Sequence, residues 1–191
     1  TAQSFEEAMA ELEGAESSLA FASGMGAISS VVLALCSQGD HIVAQRQIYA
    51  GTQLLLQTAC PRFGIDVTFV DATDARAVEA AITPATRLVF VETIANPRTQ
   101  VADLGGIGTL CATRGVLYVV DSTMTTPALF HPRSVGAGLI VHSLSKGIGG
   151  HGNALGGAVV DTAPACPVWA TASRGLTRAS ISRLVPSTAA A

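Results

Sequence analysis

The order of apolar and polar positions along the chain predicts strands and helices in alternation. Apolar residues that recur at helical spacing predict helices over 5–13, 26–35, 51–60, 74–82 and 104–113. Short continuous apolar runs predict buried strands at 19–22, 42–44, 65–70, 87–92, 116–120, 139–141 and 154–160. This alternation is typical of an α/β fold. We therefore expect a mostly parallel sheet that is flanked by helices on both faces.

Several boundaries of these elements carry local signals. Ser4 and Glu7 have the spacing of a capping box, which predicts that Ser4 is the N-cap of the first helix. Gly14 is expected to end that helix. Asp74 is the expected N-cap of a later helix, and Pro61 is expected to stop the helix before it, because proline cannot donate a backbone hydrogen bond.

The alternation continues to residue 160 and then changes character. Pro164 and Pro167 oppose a helix there, and the residues beyond them have only weak periodicity. We therefore expect one domain over 1–160 and an irregular tail or remnant over 161–191. Apolar residues make up 49% of the 191 residues and charged ones only 13%. That balance predicts apolar surface that a partner or a further segment covers.

Charge and targeting patterns exclude some classes of protein. A net charge of −3 without a basic stripe argues against nucleic acid as a partner. No apolar stretch reaches the roughly 18 residues of a membrane helix, and the first residues lack the pattern of a signal peptide. The four cysteines, at 36, 60, 111 and 166, have neither zinc nor disulfide spacing. We interpret them as buried thiols of a cytoplasmic protein and expect no metal site.

Chemically useful residues follow five of the predicted strands, where functional residues of parallel sheets usually lie. The turn of small residues at 23–26 opens a helix, so its backbone N–H groups can approach a phosphate. Tyr49, Asn96 and Asp121 follow three further strands, and Asp121 needs a partner because an unpaired buried carboxylate is costly. Lys146, the only lysine in the sequence, follows the fifth strand.

Each of these signals, taken alone, has an ordinary structural explanation. A tight turn, a packing tyrosine, an Asn-Pro turn and a helix N-cap or ion pair would account for the first four. A nucleotide-binding α/β domain is another alternative, although neither a Walker loop nor a dinucleotide fingerprint is complete. Together, however, the four groups match one cofactor, pyridoxal phosphate (PLP). The anion cradle suits its phosphate, the tyrosine suits its flat ring, the carboxylate suits its ring nitrogen and the amine suits its aldehyde.

The sequence also resembles the Cys/Met metabolism (trans-sulfuration) family of PLP-dependent enzymes, in particular the methionine and cystathionine γ-lyases. The matching strings are LEGAE at 12–16, SGM at 23–25, YAGT at 49–52, ETIANP at 92–97, VVDST at 119–123 and HSLSKGIGGH at 142–151. They occur in the family's order over residues 1–160. The resemblance implies the large cofactor domain of fold-type I PLP enzymes, with the C-terminal domain lacking.

The resemblance implies a phosphate site made of backbone and hydroxyl donors. Gly24 and Met25 would give their backbone N–H groups to the phosphate. Ser143 and Ser145 would add their hydroxyl groups.

The same resemblance assigns roles around the ring. Tyr49 would stack on it and assist proton transfer, Asn96 would face the ring hydroxyl, and Thr123 would lie nearby. Asp121 would pair with the ring nitrogen and keep it protonated. Lys146 would form the Schiff base and then move protons once substrate displaces it.

The implied activity is β- or γ-elimination, or γ-replacement, on sulfur amino acids or homoserine esters. An O-acylhomoserine sulfhydrylase-type transferase is an alternative within the same family, and the sequence does not choose between elimination and replacement. The family's enzymes act as homo-oligomers, dimers or tetramers, with phosphate ligands from a segment before residue 1. Because that segment and the C-terminal domain are not matched, a truncated and inactive remnant is a further hypothesis.

One position separates this chain from the γ-lyases that it resembles. Methionine γ-lyases typically carry cysteine at the place that Gly51 occupies in this sequence. This departure weakens an assignment to that particular activity.

Overall fold

The computed structural model describes residues 1–162, which contain seven strands and six α-helices. The strands are β1 (Ser17–Phe21), β2 (His41–Gln45), β3 (Asp66–Val70), β4 (Thr86–Glu92), β5 (Leu117–Asp121), β6 (Leu139–Ser143) and β7 (Gly157–Asp161). The helices are α1 (Ala2–Glu13), α2 (Gly24–Leu35), α3 (Ala50–Leu54), α4 (Ala75–Ala81), α5 (Leu104–Arg114) and α6 (Thr126–Leu129). Every strand and helix predicted from periodicity is present, with shifted ends. The predicted tail lies outside the described residues beyond 162.

The seven strands form one sheet in the order β1-β7-β6-β5-β4-β2-β3. All pairs from β3 to β6 are parallel, and β7 is antiparallel to both β1 and β6. The expected mostly parallel α/β fold is therefore confirmed. Because β1 runs in the same direction as β6, the strands β1, β2, β4, β5 and β6 all end at one edge of the sheet.

Both faces of the sheet are buried, which explains why its strands are continuous apolar runs. Alternate residues of each strand point to opposite faces. Leu88, Phe90 and Val119 belong to one core with α2, whereas Val89 and Val120 belong to a second core on the other face. The same two-residue period places Glu92 and Asp121, at the ends of β4 and β5, on the face that α2 covers.

Two predicted boundaries are wrong. The N-cap of α1 is Thr1, whose side-chain oxygen accepts the N–H of Ser4, so the helix begins before the predicted cap. Pro61 does not stop the third helical segment, which continues as a π-turn and then a 3-10 turn to Phe63 and ends at Gly64. Pro61 lies in the first turn of that 3-10 segment, where a missing N–H costs little. Gly14 ends α1 and Asp74 caps α4 as predicted.

A pair of glycines in α5 allows a prediction about packing. Gly108 lies against the backbone carbonyl of Val135, and a Cβ added there would overlap that oxygen, whereas Gly105 faces open space. We expect Gly108→Ala to lower the free energy of unfolding by about 3 kcal/mol through overpacking. Gly105→Ala should raise it by up to about 1 kcal/mol, because alanine is the better helix former. Urea unfolding measures both, and equal effects would contradict the packing.

None of the helices in residues 1–162 has the length and apolar character needed to cross a membrane. Cys36, Cys60 and Cys111 are buried thiols, and burial raises the pKa of Cys36 to about 12. Among the residues that the structure describes, no three His, Cys, Asp or Glu side chains are grouped to hold a metal ion.

Candidate active site

A cavity of about 280 Å³ lies at the edge of the sheet where the five strands end. Its position follows from the topology, since parallel strands bring their carboxyl ends together. All nine residues that the sequence singled out line it: Gly24, Met25, Tyr49, Asn96, Asp121, Thr123, Ser143, Ser145 and Lys146. The structure therefore brings together residues that lie up to 122 positions apart (146 − 24) in the sequence.

The first side of the cavity is the N-terminus of α2. Ser23 is the N-cap, and its side-chain oxygen accepts the N–H of Gly26 at 3.0 Å. The N–H groups of Gly24 and Met25 belong to the first turn, where a helix supplies no acceptor of its own. A Cβ on Gly24 would lie 2.7 Å from the Cβ of Ser143, so only glycine allows this close approach. The turn can therefore present two backbone donors and the hydroxyl of Ser143 to an anion.

The end of β5 forms the floor of the cavity. Asp121 is buried, and its Oδ1 accepts the N–H of Thr123 at 3.0 Å. The hydroxyl oxygen of Thr123 in turn accepts the N–H of Ser143 at 2.8 Å, which ties the ends of β5 and β6 together. Burial raises the pKa of Asp121, and the hydrogen bonds from Thr123 oppose that rise only in part. A cationic partner in the cavity would therefore stabilise the carboxylate.

The loop after β2 places an aromatic ring at the cavity. Tyr49 is 44% exposed and precedes α3. A Cβ on Gly51 would lie 2.6 Å from Cε1 of Tyr49 and 3.1 Å from Sδ of Met25. The glycine therefore leaves room for the tyrosine ring in this position. A cysteine at 51, the residue that the resemblance associates with methionine γ-lyases, would require the ring to move.

Lys146 lies in a compact turn that follows β6. Its backbone N–H donates to the carbonyl of Ser143 at 3.2 Å, and its carbonyl accepts the N–H of Gly150 at 2.8 Å. The side-chain oxygen of Ser145 accepts the N–H of Gly156 at 3.2 Å, which leaves the hydroxyl proton able to donate elsewhere. The Lys146 side chain is exposed although the strand before it is buried. Its backbone is therefore held while its amine can reach into the cavity.

Glu92 is a cavity residue that the sequence reasoning missed. It ends β4, lies opposite Asp121 in the register of β4 and β5, and is 5% exposed. Burial and the neighbouring Asp121 raise the pKa of Glu92 to about 7. The signal that could have found it is the one used for Asp121, a carboxylate at the end of a wholly apolar strand.

A third buried acidic residue, Glu13, connects α1 to β6 beneath the site. Glu13 accepts from Nε2 of His142 at 2.6 Å, and both side chains are fully buried. The other carboxylate oxygen lies 3.3 Å from Nδ1 of His131. Since His142 precedes Ser143, this contact anchors the end of β6 from the face opposite the cavity.

A model of the family described as Cys/Met metabolism PLP-dependent enzyme matches residues 1–177. The chain belongs to this family. The resemblance inferred from the sequence motifs is thereby confirmed, and so is the cofactor, because the family is PLP-dependent. The cavity described above lies within the matched residues.

Relatives with several activities share this part of the family fold. The chain is 42% identical over 159 residues to an O-succinylhomoserine sulfhydrylase of Pseudomonas aeruginosa, covering 83% of this chain and 40% of that protein. It is 43% identical over 152 residues to an L-methionine gamma-lyase of Pseudomonas putida, covering 80% and 38%. The chain thus spans about 40% of the length of the curated relatives that it matches.

A solved structure has the same fold. It is a putative O-acetylhomoserine (thiol)-lyase from Campylobacter jejuni, which superposes with a TM-score of 0.83 at 33% identity. The match covers 86% of this chain and 40% of the other, and that structure contains an N'-pyridoxyl-lysine-5'-monophosphate.

Proposed function

We propose that the cavity binds PLP and that the whole protein is a carbon-sulfur lyase or related transferase. Its substrates would be sulfur amino acids or homoserine esters, which it would convert by β- or γ-elimination or by γ-replacement. One observation carries the proposal: the α2 turn, Tyr49, Asp121 and Lys146 line a single cavity. These four groups complement the phosphate, ring, ring nitrogen and aldehyde of the cofactor.

The phosphate fits the end of the cavity where α2 begins. Backbone N–H groups of Gly24 and Met25 would bind its oxygens, and the positive end of the helix dipole would favour its charge. Hydroxyl groups of Ser143 and Ser145 would add two further donors. Lys146 is the only cationic side chain that lines this cavity in the described residues, so the phosphate donors among these residues are neutral.

The ring fits between the tyrosine and the carboxylate. Tyr49 would cover one face of the ring, and the Asn96 amide would face its hydroxyl group. Asp121 would form an ion pair with the protonated ring nitrogen, and Thr123 would keep the carboxylate in place through its N–H. This ion pair would offset the cost of the buried Asp121 charge, which is visible as its raised pKa.

In catalysis, bound PLP supplies an electrophilic aldehyde and a ring that accepts electrons. Lys146 Nζ would be the amine that holds the cofactor's aldehyde, and the same amine would move the proton at the substrate's Cα. Tyr49, which lines the same cavity, would assist this proton transfer through its hydroxyl group. Asp121 would hold the ring nitrogen in its protonated form. These residues do not decide between elimination and replacement, and relatives of both kinds support the class as a whole.

We also propose a cellular compartment and an oligomeric state for the whole protein. Buried thiols such as Cys36 and Cys60 fit the reducing cytoplasm. Leu129 and Leu155 are 79% and 86% exposed, and these apolar side chains support a homo-oligomer, a dimer or tetramer, that covers them. We also propose that the PLP-binding domain spans residues 1–160.

The decisive experiment traps the cofactor on the chain. We expect added PLP to give an absorption band that differs from that of free PLP, and borohydride reduction to attach the cofactor to the peptide that contains Lys146. Because Lys146 is the only lysine in the 191 residues, the α-amino group of the polypeptide used is the other primary amine that competes. Mass spectrometry of the digest separates the two. Label on the α-amino group alone, label on neither site, or stabilisation by nucleotides but not by PLP would overturn the proposal.

A further inference from the structure

Glu92 makes two contacts that connect separate loops. Its Oε1 accepts the backbone N–H of Tyr49 at 2.8 Å, and its Oε2 accepts the backbone N–H of Asn96 at 3.0 Å. Tyr49 belongs to the loop after β2, whereas Asn96 belongs to the loop after β4. One buried side chain therefore uses each of its oxygens for a different wall of the cavity.

The position of Glu92 is itself fixed by its neighbours. Its backbone N–H donates to Oε1 of Gln45 at 2.9 Å, and Gln45 is 1% exposed at the end of β2. The backbone from which the carboxylate projects is therefore held in place at the end of β4.

We propose that Glu92 is a positioning residue whose carboxylate holds the Tyr49 and Asn96 loops at the spacing that the PLP ring requires. This role rests on the proposed function, since it concerns the residues assigned to the face and the hydroxyl edge of the ring. Glu92 acts through these two residues and needs no contact with the cofactor. The hydrogen bonds themselves belong to the protein alone, so they can be tested without cofactor.

A carboxylate suits this task and an amide does not. An ionised Glu has two acceptor oxygens, whereas Gln has one acceptor oxygen and an NH₂ group that donates. In a Glu92→Gln variant, either the Tyr49 N–H or the Asn96 N–H would face a donor. A buried N–H without an acceptor is unfavourable, so the loop that carries it should move away. The substitution therefore keeps the size of the side chain and removes one of its two hydrogen bonds to the loops.

The ionisation of Glu92 provides a direct readout. The titratable groups that share its cavity are Asp121, Tyr49 and Lys146. Burial and the charge of Asp121 raise the pKa of Glu92 to about 7, so it is protonated in a larger fraction of molecules below this pH. Protonation uses one lone pair of the carboxyl group and weakens one or both hydrogen bonds to the loops.

The first test uses amide NMR signals of the full chain without cofactor. Between about pH 5.5 and 8.5, we expect the amide protons of Tyr49 and Asn96 to shift together with one midpoint near Glu92's own pKa. Glu92→Gln should remove this shared titration, while the control Glu11→Gln, an exposed residue of α1, should leave it unchanged. If the two amide signals still titrated in Glu92→Gln, the titration would belong to Asp121 and the inference would be overturned. A wild-type shift of only one of the two amide signals would also overturn it.

The second test measures PLP affinity by the absorption change. We expect Glu92→Gln to weaken binding by about tenfold, the effect of losing one buried hydrogen bond to a charged acceptor. Lys146 should still be labelled by borohydride at saturating PLP, because its amine is untouched. Equal affinity of wild type and Glu92→Gln would refute the positioning role. If wild type bound no PLP, the proposed function would fail while the amide titration would still decide whether the two contacts exist.

Discussion

Replacing Lys146 with alanine is expected to abolish the borohydride-stable attachment of PLP at position 146. The physical reason is that Lys146 carries the only side-chain primary amine in the sequence. No other lysine of the 191 residues can replace it, so any remaining label should lie on the α-amino group of the polypeptide. The loss should be complete at this site, and mass spectrometry of the reduced and digested chain measures it.

The Lys146→Arg variant distinguishes the covalent bond to PLP from electrostatic attraction of its phosphate. Arginine keeps the positive charge that would attract the phosphate, but its guanidinium stays protonated and does not form the bond to an aldehyde. We expect Lys146→Arg to lose the covalent label as completely as Lys146→Ala. Because the Lys146 side chain is exposed, both variants should keep the wild-type free energy of unfolding within about 0.5 kcal/mol. Label that survives at the same level in either variant would remove Lys146 from the mechanism.

The second large effect is expected at Asp121, where stability and binding should change in opposite directions. Burial raises the pKa of this carboxyl, so its ionised form is disfavoured in the folded chain and stability falls as pH rises. Asp121→Asn removes that charge and keeps an oxygen that can accept the Thr123 N–H. At pH above neutrality we expect the chain without cofactor to gain about 1 kcal/mol, or about 3 °C in Tm.

The same substitution should weaken PLP binding. Asparagine is neutral and cannot form the ion pair with the protonated ring nitrogen, so we expect at least about a tenfold loss of affinity. Thermal unfolding with and without PLP measures both effects in one experiment. Glu11→Gln is the matched control, since it removes one exposed negative charge on α1. A variant that lost stability without PLP, or bound PLP as wild type does, would contradict the assigned role of Asp121.

The strand ends show how far sequence reasoning reaches. Asp121 and Lys146 could be found because each stands out locally, one as a carboxylate after an apolar strand and the other as a sole lysine. Glu92 is the last residue of a strand of the same kind, but in the sequence it stands out only as part of the ETIANP motif. Its carboxylate accepts the backbone N–H of Tyr49, which lies 43 residues away in the sequence. No local sequence pattern encodes a contact over that separation.

Two further differences have the same origin. The first helix begins at Thr1's cap because that hydroxyl reaches the Ser4 N–H, an outcome that the Ser4 and Glu7 pattern does not reveal. The antiparallel direction of β7 depends on its pairing with β1 and β6, which are distant from each other in sequence. An apolar run has the same pattern in a parallel and in an antiparallel strand, so periodicity cannot distinguish the two strand directions.

By itself, the sequence determined the α/β class, nearly all of the elements and the group of residues that surround the cavity. It could do so because helical and strand periodicities, and the residues that follow a strand, are short-range features. The tertiary structure alone decided the order of the strands, the exposure of Lys146 and the double contact of Glu92. These depend on which distant segments pack side by side, because burial and hydrogen-bond partners are set by the folded chain as a whole.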